Sequence, residues 1–133
     1  TGIIDIELTD NHGKTRRLTD LEGKVVLLDF HVFATEESPA RILLLRELYN
    51  KYHAQGLEIY QVSLDPDEHF WKQQTASLPW ISVREEQGLA SPTLAIYNVQ
   101  AVPEYFLIDR NSNIVGRSQS FKDVEQSISQ LCR

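Results

Sequence analysis

The sequence predicts an α/β fold in which helices cover both faces of a mixed central sheet. Residues 24–31 are apolar on both faces, as expected of a central strand that is covered on each side. A helix-period segment and a second strand-like run follow directly, which predicts a right-handed parallel crossover. Near the other end of the chain, residues 105–109 and 114–115 flank the tight turn 111–113, which predicts a closing hairpin.

A further hairpin is predicted ahead of the central strand. Residues 3–8 alternate apolar and acidic side chains, and residues 10–13 supply turn residues. After the central strand, Ser38 followed by Pro39 predicts a helix start, with Ser38 as the capping residue. Apolar side chains then recur every three to four positions as far as Gly56, so we expect one amphipathic helix that ends there.

The second half of the chain continues this alternation. Residues 57–64 form the second predicted strand, residues 68–76 a short helix and residues 80–83 a short extended piece. Ser91 with Pro92 repeats the pattern of a capping residue followed by proline, which predicts another brief helix.

The last predicted helix has an apolar face, formed by Phe121, Val124, Ile128 and Leu131. Ser120 and Asp123 before it have the spacing of a capping pair. Together these elements predict a layered sheet with helices on both faces.

The composition excludes several classes of partner. With 41% apolar and 24% charged residues, a chain of 133 residues is long enough for one core. The net charge of −6 opposes phosphate backbones and anionic lipid surfaces, so nucleic acid is not an expected partner. No run approaches the ~20 apolar residues that a membrane-spanning helix needs. Because the chain begins at Thr1 and contains no Met, we expect a mature form or a piece of a longer protein, with any signal or anchor outside it.

The order of three short motifs resembles the thioredoxin superfamily. They are the strand Val-Val-Leu-Leu-Asp-Phe at residues 25–30, the helix start at Ser38, and Val102-Pro103 leading into residues 105–109. More narrowly, the chain resembles the TlpA and ResA type of bacterial extracytoplasmic thiol-disulfide oxidoreductases, relatives of the AhpC/TSA peroxiredoxins. The resemblance implies one thioredoxin-like domain over residues 1–133, with an added N-terminal hairpin at 1–23 and the core at 24–133. It also implies a location in the periplasm or cell envelope.

The residues that perform thiol-disulfide exchange in that family are missing. Active relatives carry Trp-Cys-x-x-Cys after the central strand, whereas the equivalent stretch here reads Ala-Thr-Glu-Glu-Ser at residues 34–38. Exchange requires an attacking thiolate and a resolving thiol, and neither Thr35 nor Ser38 supplies one. The single cysteine, Cys132, is interpreted as an incidental residue at the end of the last helix. We therefore expect no redox catalysis and no cofactor, and we assign no catalytic residue to the degenerate positions 35–38.

Two acids occupy the space between the lost thiol positions. A helix N-terminus stabilises negative charge in its first turn, and Glu36 with Glu37 are predicted to sit there in place of a thiolate. On this interpretation they also close the site to anionic ligands. The alternative is that they are ordinary surface acids that cap a helix.

Several nearby residues take an expected role from the resemblance. Asp29 matches the family's buried acid, which shuttles protons for thiols that are absent here, so it is either a relic or hydrogen-bonded within the sheet. Pro103 matches the family's cis-proline, and Val102 before it would offer its backbone to an extended peptide. The equal alternative is that Pro103 is a purely structural holdover. Glu104 is expected to make this groove more acidic and narrower.

His31 stands where relatives carry a tryptophan, so it joins Val102, Pro103 and Glu104 in the predicted groove. Together with Glu36 or Glu37 it raises the idea of a metal site. Such a donor set is too small for zinc without a second histidine nearby in sequence, so we expect no metal.

The leading functional hypothesis is a redox-inactive module of a bacterial envelope protein that binds a protein or extended peptide near Val102 and Pro103. One alternative is an enzyme that uses Ser38 or Thr35 to bind a small thiol, as glutathione transferases do with a hydroxyl. Another is a structural spacer that binds nothing.

Overall fold

The computed structural model describes residues 2–133, so the first residue of the predicted N-terminal extension lies outside the described part. The strands are β1 (Glu7–Thr9), β2 (Thr15–Arg17), β3 (Val25–His31), β4 (Leu57–Ser63), β5 (Ile81–Arg84), β6 (Glu104–Ile108) and β7 (Ile114–Ser118). The helices are α1 (Ser38–Tyr52), α2 (Glu68–Thr75), α3 (Pro92–Ile96) and α4 (Val124–Leu131). Short 3₁₀ turns lie at Leu18–Leu21, His53–Gln55 and Gly88–Ala90.

A five-stranded mixed sheet in the order β5-β4-β3-β6-β7 forms the centre of the molecule. Strand β3 runs parallel to β4 and antiparallel to β6, while β6 and β7 form an antiparallel hairpin. Every residue of β3 is buried, which agrees with its apolar character on both faces. The predicted mixed sheet, parallel β3–β4 connection and closing hairpin are therefore confirmed.

The N-terminal extension is a separate two-stranded hairpin of β1 and β2. Its turn is held by the Asp10 carboxylate, which accepts hydrogen bonds from the backbone N–H groups of His12 and Lys14 at 2.9 Å each. Ile6 and Leu18 are buried in the core beneath the sheet. The predicted opening hairpin is confirmed, and it covers part of one sheet face.

Alternation along β3 divides the core into two apolar layers. Val25 and Leu27 point to one face, where side chains of α1 and α4 cover them, including Leu45 and Ile128. The intervening side chains of β3 pack on the other face with the N-terminal hairpin, α3 and the adjoining loop. Helices thus cover both faces, as predicted. No helix among residues 2–133 combines the length and the apolar character needed to cross a membrane.

Helix ends show where local patterns were misleading. Ser91 caps α3 as predicted, since its hydroxyl accepts hydrogen bonds from the Thr93 and Leu94 N–H groups. The prediction that Ser38 caps α1 is wrong: Ser38 is the first helical residue, and its hydroxyl bonds elsewhere. The capping pair before α4 is also wrong, because Asp123 lies in a left-handed conformation, φ 65°, with no side-chain capping bond.

Candidate functional site

A small cleft opens where β3 ends and α1 begins. We call it the proline cleft, and it is lined by His31, Val32, Thr35, Glu37, Arg41, Val102 and Pro103. The fold thus brings the loop before α1 against the loop before β6, and the Val102–Pro103 peptide bond in that second loop is cis. Among the residues singled out from the sequence, Glu36 and Glu104 do not line the cleft, and Asp29 and Ser38 lie buried behind it.

The loop that leads into α1 is fixed by hydrogen bonds. The Asp65 carboxylate accepts from the backbone N–H of Phe33 at 2.8 Å and from that of Ala34 at 3.2 Å. The Thr35 hydroxyl donates to the Val32 carbonyl at 2.9 Å, and the Ser38 N–H donates to the Thr35 carbonyl at 3.2 Å. These bonds shape the turn that carries the two positions where active relatives hold cysteines.

The two acids of this turn lie outside the helix. Glu37 is the N-cap residue, Glu36 precedes it, and the first turn of α1 contains no acidic residue. Helical hydrogen bonding starts only with the Arg41 N–H, which donates to the Glu37 carbonyl. The prediction that Glu36 and Glu37 occupy the first turn is therefore wrong, and both side chains are exposed on the cap side of the helix.

The hydroxyl of Ser38 is paired with a buried imidazole. Its Oγ lies 2.7 Å from Nε2 of His31, and the two residues are only 3% and 1% exposed. Burial lowers the pKa of His31, an effect that the nearby Asp29 charge opposes without reversing. His31 is therefore a neutral ring at physiological pH, and within residues 2–133 its second nitrogen, Nδ1, has no hydrogen-bond partner.

Asp29 lies in a buried polar cluster between the sheet and α1. One carboxylate oxygen bonds the guanidinium of Arg41, and the other accepts from the Gln61 amide at 3.0 Å. Gln61 in turn accepts from the indole N–H of Trp80 at 2.9 Å. Arg41 also stacks on the Phe121 ring, with its guanidinium carbon 3.9 Å from the ring centroid. Asp29 was expected to be either a relic or hydrogen-bonded within the sheet, and it is hydrogen-bonded, to Gln61 of β4 and to Arg41 of α1.

Ser38, His31 and Asp29 have the residue types of a nucleophile, a base and an orienting acid. The geometry does not support that chemistry. His31 Nδ1 is 3.8 Å from the Asp29 carboxylate, beyond hydrogen-bond distance, and both oxygens of that carboxylate already have other partners. The Ser38 hydroxyl is buried, so a substrate carbonyl has no route to it. We interpret the three residues as a packing cluster.

The backbone of Val102 is the unpaired part of the cleft. Strand β6 begins at Glu104, where the ladder with Phe30 starts. Within residues 2–133, neither the N–H nor the C=O of Val102 has a hydrogen-bond partner, although the residue is half-buried. Unpaired groups of this kind are able to accept an added strand.

Glu104 does not make the groove acidic. Its carboxylate is paired with Arg117, whose Nε and Nη2 atoms lie 2.7 and 2.6 Å away. Arg117 also covers the Phe106 ring, with its guanidinium carbon 4.5 Å from the centroid. The expectation of an acidic, narrowed groove is wrong for Glu104, because the charge is neutralised by Arg117 and the residue does not line the cleft.

Cys132 lies at the opposite end of the sheet. Arg110 donates to the carbonyls of Gly23, Gln55 and Cys132, which places all three near the start of β3. The seven residues of β3 separate that end from His31 by about 20 Å. Burial raises the pKa of the Cys132 thiol, so it stays protonated and a poor nucleophile.

The part of the chain that the structure describes holds no group of three or more His, Cys, Asp or Glu side chains arranged for a metal ion. Sequence reasoning missed Arg41, Gln61 and Trp80, the partners that make the environment of Asp29. One signal was available for Arg41, because it shares a helix face with Leu45 and Leu48 and is the charged member of that apolar stripe.

Comparison with known proteins identifies relatives by family, by sequence and by structure, and the three results agree. The model of the AhpC/TSA family matches residues 2–117. The thiol-disulfide oxidoreductase ResA of Geobacillus kaustophilus is 31% identical over 134 aligned positions, which cover 96% of this chain and 74% of that protein. The solved structure of a thioredoxin-like protein from Bacteroides vulgatus is 51% identical with a TM-score of 0.90, covering 98% of this chain and 86% of that one.

A second Bacteroides vulgatus structure, the thioredoxin domain of a thiol-disulfide oxidoreductase, has the same TM-score of 0.90 at 24% identity. The aligned part covers 100% of this chain and 96% of that one. The fold is therefore thioredoxin-like, with the β1–β2 hairpin added at its N-terminal end.

Proposed function

This chain belongs to the AhpC/TSA family, in its ResA-like thioredoxin branch, and from that premise we propose that it is a redox-inactive member that binds a protein or extended peptide at the proline cleft. The observation that carries the binding role is the unpaired backbone of Val102 beside Pro103. An extended segment that adds to Val102 would satisfy its N–H and C=O, while side chains of the cleft contact the ligand.

The redox-inactive part of the proposal rests on the absence of sulfur at the tip of α1. Thr35 and Ser38 occupy the two positions, and a hydroxyl pair forms no stable product equivalent to a disulfide. Cys132 cannot substitute, because it is buried about 20 Å away at the other end of β3.

The alternative of an enzyme that binds a small thiol has less support. The hydroxyls it would use are both engaged, Thr35 with the Val32 carbonyl and Ser38 with His31. Exposed Glu36 and Glu37 beside them would also repel a thiolate. A glutathione titration without saturable binding is the expected result.

We also propose that residues 1–133 form a single thioredoxin-like unit and that it works in the periplasm or cell envelope. The location rests on the likeness to the extracytoplasmic ResA type.

A turnover assay tests the redox half. The protein is mixed with a protein disulfide substrate and a dithiol electron donor, and its rate is compared with that of Cys132→Ser. We expect both rates to equal the background without protein. A rate for the unsubstituted protein well above that of Cys132→Ser would overturn the redox-inactive assignment.

A peptide selection tests the binding half. Displayed unstructured peptides are selected against the protein, and a selected peptide is titrated into ¹⁵N-labelled protein. We expect saturable shifts of the Val102 and Thr35 amide signals. Val102→Pro, which removes the amide donor, should lose binding, whereas Val102→Ala, which keeps it, should bind normally. If no peptide is selected, the spacer alternative is favoured. Binding that is insensitive to Val102→Pro would instead place the ligand outside the proline cleft and contradict the proposal.

A further inference from the structure

The proline cleft has very little free space. Its volume is about 10 Å³. A cavity needs roughly 10–15 Å³ to hold a single water molecule, and a methyl group is of similar size to a water molecule. The cleft therefore has no room for a side chain longer than that of alanine.

The most buried residues of the cleft are fixed in place. His31 and Arg41 line it, and they are only 1% and 7% exposed. His31 is bonded to Ser38 at 2.7 Å, while Arg41 bonds the Asp29 carboxylate and stacks on the ring of Phe121. Moving either residue to admit a larger group would break a buried polar contact, which costs free energy.

An added strand that pairs with Val102 passes over this space. Within residues 2–133 the N–H and C=O of Val102 have no partners, and Val102 lines the cleft together with Thr35 and Glu37 at the start of α1. Side chains of an extended segment alternate between its two faces. One side chain of the bound segment therefore points towards the tip of α1 and into the cleft, while its two neighbours point away.

We propose that the proline cleft selects glycine or alanine at one position of the bound segment, an inference that rests on the binding role proposed above. A larger side chain at that position would displace the walls of the cleft or lift the strand away from the backbone groups of Val102. Either change lowers the affinity, because overpacking and lost backbone hydrogen bonds are both unfavourable. The neighbouring positions, which face away from the cleft, accept side chains of any size.

A substitution series on a bound peptide locates the small position. Linear random peptides are displayed and selected against the protein, and one selected peptide is synthesised with alanine, leucine or tryptophan at each position in turn. Isothermal titration calorimetry gives the affinities. We expect one position at which leucine and tryptophan bind about tenfold or more weakly than alanine. At the two adjacent positions the same changes should have much smaller effects.

Enlarging the cleft tests whether its walls set the size limit. Val32→Ala removes two methyl groups from the lining. The affinity ratio of the alanine peptide to the leucine peptide should therefore fall about fivefold or more. The control is Val115→Ala, the same change at an exposed valine of β7 that does not line the cleft, and it should leave the ratio as it is. A variant that is partly unfolded binds both peptides less and keeps the ratio, so the comparison does not depend on stability.

Two outcomes would overturn this inference and leave the binding role intact. The first is a peptide that loses binding in Val102→Pro yet accepts leucine and tryptophan at every position. The second is the same affinity ratio in Val32→Ala as in Val115→Ala. If no peptide is selected at all, the binding role itself is overturned, and the size selection with it.

Discussion

Ser38 Oγ lies 2.7 Å from His31 Nε2 inside a buried contact between the tip of α1 and the end of β3. In active relatives this helix position carries a thiol that exchanges partners. Here the hydroxyl gives a buried imidazole the hydrogen bond that burial requires. In this chain the Ser38 side chain therefore holds the start of α1 against the end of β3.

Ser38→Ala should lower the free energy of unfolding by about 1–3 kcal/mol, because it leaves a buried imidazole nitrogen without a partner. Urea denaturation at neutral pH measures the loss. The control is Ser127→Ala on α4, where the serine is exposed and alanine is the better helix former. Equal stability of the two variants would contradict the role given to Ser38.

The stability of the protein should fall as the pH drops below 6.5. Burial lowers the His31 pKa from its ordinary value of 6.5, so below that pH the unfolded chain binds a proton that the folded protein does not. This contribution favours folding above pH 6.5 and is lost progressively between 6.5 and the lower folded pKa.

Urea midpoints across this pH range test the His31 effect. His31→Gln should flatten the dependence, while His69→Gln, at an exposed histidine, should keep it. A slope that is unchanged in His31→Gln would show that other groups cause it.

Arg41 and Asp29 should be strongly coupled. Arg41→Met leaves a fully buried carboxylate without its cation and should cost about 3–5 kcal/mol of unfolding free energy. The double variant Asp29→Asn with Arg41→Met should cost clearly less than the sum of the single changes. The same cycle on the exposed pair Arg17 and Glu7 should give a coupling of at most about 1 kcal/mol. Additive costs at Arg41 and Asp29 would show that the pair is not a unit.

Cysteines introduced at positions 35 and 38 should give the protein thiol-disulfide exchange activity. The turn from Thr35 to Ser38 closes with a 3.2 Å backbone hydrogen bond, and such turns bring their end Cα atoms within about 7 Å, close to the upper limit for a disulfide. Thr35→Cys with Ser38→Cys, in a Cys132→Ser background, should therefore form an internal disulfide and show disulfide reductase activity. Thiol counting and the turnover assay measure both, with Thr35→Cys alone as control. A pair that stays reduced in the presence of an oxidant would contradict this expectation.

Sequence patterns predicted the strands and their connections, because these depend on backbone pairing and on the alternation of apolar side chains. Strand β3 was predicted from its apolar character on both faces, and all its positions are buried. The residues of the proline cleft were predicted from the resemblance to the thioredoxin superfamily. They come together because the loop before α1 follows β3 and Val102-Pro103 precedes β6, which pairs with β3. The prediction that Ser38 caps α1 was wrong for a different reason. His31, its actual partner, comes from the preceding strand, and a local capping pattern contains no information about such a competitor.

Ion pairs between residues far apart in the sequence were the least predictable feature of the site. Alternation along β3 places Asp29 on the same face as Val25 and Leu27, where α1 packs. Which helix residue reaches it depends on the rotation of α1 about its axis, and that is set by the whole core. Arg41 was missed for this reason, and so was the pairing of Glu104 with Arg117 on β7.

Arg110 ties together three loop carbonyls at the amino end of β3, those of Gly23, Gln55 and Cys132. It also fills the space over Gly56, where an added Cβ would meet its guanidinium at 2.6 Å. The hydrogen bonds of Arg110 thus lie a full strand length from the tip of α1. Substitutions at that tip therefore leave these hydrogen bonds untouched, so the fold tolerates different residues there without losing the contacts that hold its opposite end together.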